Sequence, residues 1–434
     1  FIAGSSPIGC IFAGLLFGSI PNDWDLCTDA TPSEMFDIFG APCSHAGEWR
    51  TIDTGAKHGT VTVLHERDMF EVTTYRVDGK YVDSRHPASV TFARNIEADL
   101  SRRDFTVNAM AYNESRGLVD IFGGADDLED GIIRCVGSPP ERFLEDALRI
   151  MRAMRFSSQL GFAIDPDTFS AMNKYAYLLH NISAERVREE FVKTLTGAGS
   201  MYALDPCRII IAEVIPEAEP MFDLDQKNDY HCYDVWQHTL HAVHYVVNTP
   251  ALKVAAFFHD IGKPPCMTLP EDDWGHFYGH EHKGAEIAET VMKRLKFDNK
   301  TTALVKELIW NHGIVFQQTE KHARRMLNKF GEAKLHMLIE LELADVSSQA
   351  PFCVEERVAN IEAFRAIAAN VIAQKQCFSI RDMAVNGNDL MDAGVPQGPE
   401  LGALLHKLFE LVLDKKIPNE KEALMEEVRK CRQV

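Results

Sequence analysis

Asp23 and Asp25 flank Trp24 in the stretch PNDWDLCTDATP, residues 21–32. In a strand, side chains alternate, so the two carboxylates share one face and Trp24 points to the other. Like charges that close repel unless solvent screens them or a cation lies between them. Mg²⁺ suits the position, since it takes hard oxygen ligands from one or two carboxylates and completes its shell with substrate phosphates. Phosphoryl transfer of the polymerase type uses two such ions. An isolated D-x-D is also common in solvated turns, so a third acid is needed. FEVTTYR, residues 70–76, supplies Glu71 with Thr73 and Tyr75 on its face. A neighbouring strand carrying Glu71 completes a two-metal site.

Basic and base-reading residues follow. In DLSRRDFTVNAMAYN, residues 99–113, Arg102 and Arg103 are able to clamp ribose and triphosphate oxygens, a task suited to the forked guanidinium. Asp104 and Asn108 fall four apart on a predicted helix, within reach of sugar hydroxyls. EDALR, residues 145–149, sets Asp146 and Arg149 three apart on one side of a predicted helix. A carboxylate only accepts hydrogen bonds and a guanidinium only donates. Cytosine and adenine each offer an amino donor beside a ring-nitrogen acceptor; guanine and uracil offer the reverse. One Asp/Arg pair therefore accepts CTP and ATP and mismatches GTP and UTP, each error costing roughly 1–3 kcal/mol. Taken alone, each of these motifs also fits an ordinary surface ion pair.

These residues need scaffolds, and the patterns supply them. GTVTVL (59–64) and MFEVTTY (69–75) alternate and are β-branched, with HERD between them, which predicts a hairpin. Residues 1–135 read as a mixed α/β head. From 136 onward the pattern is helical, including one predicted helix over 141–162 with Phe143, Leu148, Ile150, Met151 and Met154 at mostly helical spacing. Residues 383–413 read as a Gly/Pro turn feeding a helix that starts near Pro399. The expected organisation is a head over 1–135, a neck over 136–200, a histidine-rich helical domain over 201–350 and a helical tail over 351–434.

With 434 residues, several domains are expected. The apolar run GCIFAGLLFG, residues 9–18, is shorter than a bilayer span and has no basic region before it, so neither a membrane span nor a signal peptide is expected there. The chain opens on Phe1 rather than Met, so a preceding segment is expected. Ten cysteines without C-x-x-C spacing fit a reducing cytosol. A net charge of −19 repels nucleic acid on average, so RNA binding must rest on a local basic surface.

DWDLCTDATP, HGTVTV and FEVTTYR together resemble the head of class II tRNA nucleotidyltransferases, the bacterial CCA-adding enzymes and their poly(A) polymerase relatives. The arginine stretch and EDALR resemble that family's second and nucleotide-selecting motifs. The resemblance implies an α+β fold, a polymerase-β-like head with a mixed sheet followed by an all-α remainder. It implies Asp23, Asp25 and Glu71 as catalytic carboxylates with two Mg²⁺, and Asp146 and Arg149 as readers of the base. It also implies Arg152 and Arg155 near the phosphates, CTP, ATP and the tRNA 3′ end as partners, and a cytoplasmic enzyme with neither a membrane nor an obligatory protein partner. ISAERVREEFVKTL, residues 182–195, resembles the fifth motif. Its Arg186, Arg188 and Lys193 face either RNA phosphates or solvent in a mixed-charge helix. The family's usual Arg-Asp pair falls on Ala13 and Gly14, a departure that bears on triphosphate binding. Residues 39–57 read as the flexible loop needed for the final A. YDVWQHTLHAV and FFHDIGKP resemble an HD phosphohydrolase domain, with His238, His259, Asp260 and Asp345 as ligands and His280 and His312 for a second ion. Imidazole with carboxylate suits Mn, Fe, Ni or Zn. Alternatives are a poly(A) polymerase or A-adding enzyme, an HD phosphohydrolase with a decayed RNA-binding head, and a non-catalytic RNA chaperone.

Overall fold

The computed structural model describes residues 2–3, 26–40, 49–79, 90–269 and 274–432. Asp23, Asp25, Ala13 and Gly14 lie outside them. The chain divides into two units, one of residues 1–222 with 290–299, the other of residues 223–289 with 300–434.

The first unit is built on a seven-stranded mixed sheet of order β3-β4-β5-β2-β1-β8-β9. Its strands are β1 (Ile2–Ala3), β2 (Leu26–Thr28), β3 (Trp49–Gly55), β4 (Thr60–His65), β5 (Asp68–Thr74), β8 (Met110–Asn113) and β9 (Gly117–Asp120). The short β6 (Arg76–Asp78) and β7 (Val90–Phe92) form a separate ribbon. The expected hairpin is β4–β5, paired antiparallel from Thr60↔Thr73 to His65↔Asp68. Its alternation sorts the faces. Val61, Val63 and Val72 are buried against Met35 of α1 (Pro32–Gly40), while Thr60, Thr62, Glu71 and Thr73 occupy the opposite face. β2 joins β5 in parallel, Leu26 beside Val72 and Cys27 beside Thr73.

Part of the stretch read as a loop, residues 39–57, is strand. β3 pairs antiparallel with β4, and the Trp49 ring stacks on His65 with centroids 4.1 Å apart. Pairing with β4 from Trp49↔His65 to Gly55↔Thr60, together with this aromatic contact, holds the segment as strand despite its Gly and Asp.

Helices follow: α2 (Ile96–Ser101), α3 (Gly124–Asp130), α4 (Pro139–Glu145), α5 (Leu148–Leu160), α6 (Pro166–Tyr175) and α7 (Ala184–Leu195). The single helix expected over 141–162 is in fact two. Asp146 is extended, with φ −141° and ψ 104°, and Ala147 precedes the first residue of α5. Phe143, Ile150, Met151 and Met154 are nevertheless buried as their spacing requires. Asp104 and Asn108 are likewise not on one helix, since α2 ends at Ser101 and Asn108 closes a single 3₁₀ turn.

The second unit is helical. Its elements include α8 (Val235–Tyr245), α9 (Pro250–Phe258), the N-terminal part of α10 (His280–Arg294), α11 (Asn299–Trp310), α12 (Glu320–Ser347), α13 (Pro351–Ala373), α14 (Pro399–Leu413) and α15 (Lys421–Arg432). α12 bends at Gly331, whose φ of 73° lies in the left-handed region. Pro399 occupies the first turn of α14, where its missing N–H costs nothing. No helix among the described residues is long and apolar enough to cross a membrane.

Close helix packing in the first unit depends on Gly197. A β-carbon there would lie 2.1 Å from Ser158 Oγ and 2.7 Å from the Ser158 carbonyl. Gly197→Ala is expected to cost about 1–3 kcal/mol by overpacking, read as a lowered thermal midpoint. Gly402→Ala within α14, where no atom lies within 4 Å of the added carbon, serves as the control and should be neutral to stabilising by up to about 1 kcal/mol.

Candidate functional site

A cavity of about 360 Å³ opens on the polar face of the sheet in the first unit. The strands contribute Cys27, Thr60 and Thr73, the last two linked Oγ1 to Oγ1 at 3.1 Å. Glu71 is exposed on that same face, two residues along β5 from Thr73. Around this floor stand Arg76, Arg102, Arg103, Arg149, Arg152 and Arg186, with Asp99, Asp104, Asp146 and Asn108 between them. Six arginines against three aspartates make the cavity cationic although the chain carries −19. That is the local field a triphosphate requires.

The cavity carboxylates orient Arg102, Arg103, Arg152 and Arg186. Asp99, 1% exposed, accepts from Arg102 Nε at 3.0 Å and Nη2 at 2.7 Å, and from Arg103 Nη2 at 3.4 Å. These are i,i+3 and i,i+4 pairs radiating from the end of α2. Asp104 Oδ1 accepts from Asn108 Nδ2 at 3.2 Å, and its Oδ2 accepts from Arg152 Nε at 2.7 Å. Asp104 and Asn108 are therefore brought together by a turn rather than by one helix. Burial pushes the Asp104 carboxyl upward, but the guanidinium charges of Arg152 and Arg149 outweigh it and hold the group at about 2.

Asp146 and Arg149 both line the cavity but are held separately. Asp146 Oδ1 accepts from the Leu148 N–H at 3.0 Å and Oδ2 from Arg186 Nη2 at 2.9 Å. Arg149 donates from Nη1 to Glu145 Oε2 at 2.7 Å and from Nη2 to the Arg102 carbonyl at 2.8 Å. The structure thus brings together Arg102, Arg103, Asp104, Asn108, Asp146, Arg149 and Arg152, beside the strand face that carries Glu71. Arg155 departs from its expected place. It is 2% exposed, does not line the cavity, and donates to Glu190 Oε1 of α7 at 3.2 Å. Burial lowers Arg155 to about 10 and raises Glu190, the mark of an ion pair whose desolvation weighs against both charges. Two residues between Arg152 and Arg155 separate a half-exposed helix face from a buried one. Sequence reading missed Asp99, Arg76 and the cavity position of Arg186; the Asp99 signal was its spacing to Arg102 and Arg103.

A second constellation lies within the second unit. His238 of α8, His259 and Asp260 at the end of α9, His280 opening α10, His312 after α11 and Asp345 near the end of α12 converge. Gly262 permits this, because a β-carbon there would meet the His280 carbonyl at 2.1 Å and the Gly284 nitrogen at 2.5 Å. Each ring is fixed through Nδ1 on a backbone carbonyl: His238 on Ser348 at 3.1 Å, His259 on Ala256 at 2.7 Å, His280 on Phe277 at 2.8 Å and His312 on Ile309 at 2.5 Å. Carbonyls only accept, so Nδ1 carries the proton and each Nε2 presents a lone pair inward. His238 and His259 oppose their Nε2 atoms at 3.3 Å, and His280 and His312 theirs at 3.1 Å. Asp260 bridges the pairs, Oδ2 lying 3.2 Å and 3.3 Å from His259 and His238, and Oδ1 3.5 Å and 3.8 Å from His280 and His312. Asp345 Oδ1 lies 2.9 Å from His238 Nε2. Facing lone pairs with a shared carboxylate form a donor set that fits divalent ions. Beneath it, burial raises the Glu342 carboxyl to about 7. Lys263 Nζ lies 2.6 Å from Asp260 Oδ2.

The Arg152–Asp104 pair yields a direct test. Arg152→Met strands a buried carboxylate, and a loss of about 3–5 kcal/mol is expected in urea unfolding at pH 7. Asp104 titrates lower in the folded chain, at about 2, than its ordinary 3.8. The pair's contribution is therefore present above about pH 4 and fades as pH falls toward 2, so the gap between wild type and variant should narrow over that window.

Comparison with known proteins completes the picture. A model of the poly(A) polymerase head domain matches residues 8–134, one of the RNA- and SrmB-binding site of polymerase A matches 161–205, and one of tRNA nucleotidyltransferase domain 2 matches 272–428. The CCA-adding enzyme of Levilactobacillus brevis is 32% identical over 413 residues, covering 94% of this chain and 89% of its own. That of Geobacillus kaustophilus is 48% identical over 190 residues, 44% of this chain and 45% of the relative. The crystal structure of the Bacillus stearothermophilus CCA-adding enzyme in complex with CTP superposes with a TM-score of 0.66 at 28% identity, covering all of this chain and 94% of that one. At 32% identity along 94% of its length to one such relative, the chain belongs to the CCA-adding enzyme family.

Proposed function

We propose that Asp23, Asp25 and Glu71 carry out nucleotidyl transfer in this enzyme, with the arginine-walled cavity as the nucleoside triphosphate site. The enzyme adds C, C and A to tRNA 3′ ends from CTP and ATP, the activity of its family. The observation that carries the residue assignment is the cationic cavity on the sheet face that Glu71 shares. Asp25 immediately precedes Leu26, and Glu71 immediately precedes Val72, the residue paired with it.

In this reading the RNA 3′ hydroxyl attacks the α-phosphorus, and the new P–O bond forms as the bond to pyrophosphate breaks. Glu71 helps draw off the hydroxyl proton. Arg102, Arg103 and Arg152 neutralise phosphate oxygens as charge shifts toward the leaving group. Asp23 and Asp25 would hold Mg²⁺, which supplies positive charge beside the reacting phosphate. Asp146 and Arg149 accept from and donate to the base edge. The tRNA is recognised by shape and phosphate contacts. A reducing cytoplasm suits the cysteine usage. Poly(A) addition is the less favoured reading, since holding unrelated RNAs by charge alone conflicts with a net charge of −19.

We further propose that His238, His259, Asp260 and Asp345, with His280 and His312, hold divalent transition-metal ions. Opposed Nε2 lone pairs at 3.3 Å and 3.1 Å support this reading.

Separate variants test each centre. Asp25→Ala and Glu71→Ala should lower incorporation of CMP and AMP into tRNA lacking its end by about a thousandfold or more, with tRNA binding in gel shift preserved. His259→Ala should leave incorporation within a few-fold of wild type and remove transition metal from the purified protein, measured by elemental analysis. Incorporation surviving in Glu71→Ala, or an unchanged metal content in His259→Ala, would overturn the corresponding assignment.

A further inference from the structure

Thr60 and Thr73 bring two hydroxyls to the floor of the nucleotide cavity, and the proposed transfer uses neither. They are a cross-strand pair of β4 and β5, with Oγ1 atoms 3.1 Å apart. Alternation sets Thr73 on the face that carries Glu71, two residues and so roughly 7 Å along β5. One hydroxyl donates to the other, and neither has a further partner among the described residues. One O–H and the remaining lone pairs are therefore left for the cavity. The rest of the wall does not supply that combination. Its guanidiniums only donate, and its carboxylates only accept and are already bound to arginines. The Asn108 amide can do both, but its Nδ2 is given to Asp104.

A triphosphate presents acceptors, which the arginines match. A ribose hydroxyl both donates and accepts, which the threonine pair matches. Position agrees with chemistry. In a nucleoside triphosphate the sugar lies between the reacting α-phosphate and the base. Glu71 is not part of the cavity lining, whereas the threonines, Asp146 and Arg149 are. A nucleotide reaching from Glu71 to the proposed base readers thus passes the pair with its sugar. We propose that Thr73 Oγ1 hydrogen-bonds a ribose hydroxyl of the incoming nucleotide while Thr60 fixes the orientation of Thr73, so that the pair selects the sugar. The proposal rests on the reading of the cavity as the nucleoside triphosphate site.

Single-nucleotide incorporation into tRNA lacking its end, with CTP, 2′-deoxy-CTP and 3′-deoxy-CTP as separate substrates, tests both levels. An analogue incorporated too slowly is measured as a competitive inhibitor of CTP. Thr73→Val keeps the β-branched shape and removes the hydroxyl. It is expected to lower kcat/KM for CTP about fivefold, as befits one neutral hydrogen bond, and to leave unchanged the analogue that lacks the hydroxyl being read. Whichever analogue is insensitive identifies the 2′ or the 3′ hydroxyl. Thr73→Ser should restore the preference for CTP, and Thr60→Val should weaken it by a smaller factor with the same analogue insensitive. Equal losses on all three nucleotides in Thr73→Val, or no loss on any, would overturn the proposal, since a merely structural threonine does not distinguish sugars. Arg102→Met tests the underlying reading: KM should rise about tenfold or more for all three nucleotides, and an unchanged KM would mean that the triphosphate binds elsewhere. Should Thr73→Val not fold by circular dichroism, the same comparison in Thr60→Val decides, equal losses counting against the proposal.

Discussion

Six guanidinium groups drawn to one cavity repel one another, and Asp99, Asp104 and Asp146, seated among them, offset that repulsion. Each of these carboxylates is tied by charge-assisted hydrogen bonds of 2.7–3.4 Å to the arginines it orients. The arrangement leaves the cavity positive overall while the molecule remains at −19. Focused positive charge with a negative exterior draws a triphosphate inward and discourages non-specific nucleic-acid binding elsewhere. Placement matters as much as charge. Asp99 reaches two arginines from one helix end, so a single buried acid fixes a clamp that two independent surface pairs, each worth about 0–1 kcal/mol, would leave loose.

The cluster of the second unit solves the opposite problem. Its four imidazoles are each fixed by an Nδ1–H donated to a backbone carbonyl. Negative charge there comes from Asp260 and Asp345, whose carboxyls lie well below the usual range although burial pushes them upward, with Lys263 Nζ 2.6 Å from Asp260 Oδ2. An arginine cavity is shaped to receive an anion, whereas lone pairs turned toward one another with two ionised acids are shaped to receive cations. Both centres sit where helix or strand ends converge, so backbone elements supply precision and side chains supply charge.

Much of this was legible in the sequence. The β4–β5 hairpin followed from alternation across a four-residue gap, and its polar face fixed Glu71 beside Thr73. Arg102, Arg103, Asp104, Asn108, Asp146, Arg149 and Arg152 do gather, and the H…HD…D histidines do converge. What failed was local geometry. Leu148 to Leu160 has so strong a helical pattern that nothing in EDALR announces a break at Asp146. Arg155 carries the same letter as Arg152 but falls on the face packed against α7, a distinction only tertiary packing makes. β3 was hidden in Gly and Asp content and is visible only through its stacked partner His65. Arg186 lay forty residues from Asp146, and no periodicity reaches that far.

The break at Asp146 has a mechanical meaning. On a continuous helix, residues three apart keep a fixed separation, so an Asp/Arg pair would present one donor–acceptor spacing to every base. Here Asp146 hangs from an extended link and Arg149 from the first turn of α5, and each is steadied by separate partners. Cytosine and adenine share an amino-beside-acceptor pattern but carry it on rings of different size. If Asp146 and Arg149 read the base as proposed, two halves held by separate side-chain hydrogen bonds adjust to both at small cost, because rotating a side chain between hydrogen-bonded positions asks far less than bending a helix. In the proposed reading, discrimination against uracil and guanine depends on the places the two groups keep along the base edge: acceptor then faces acceptor and donor faces donor.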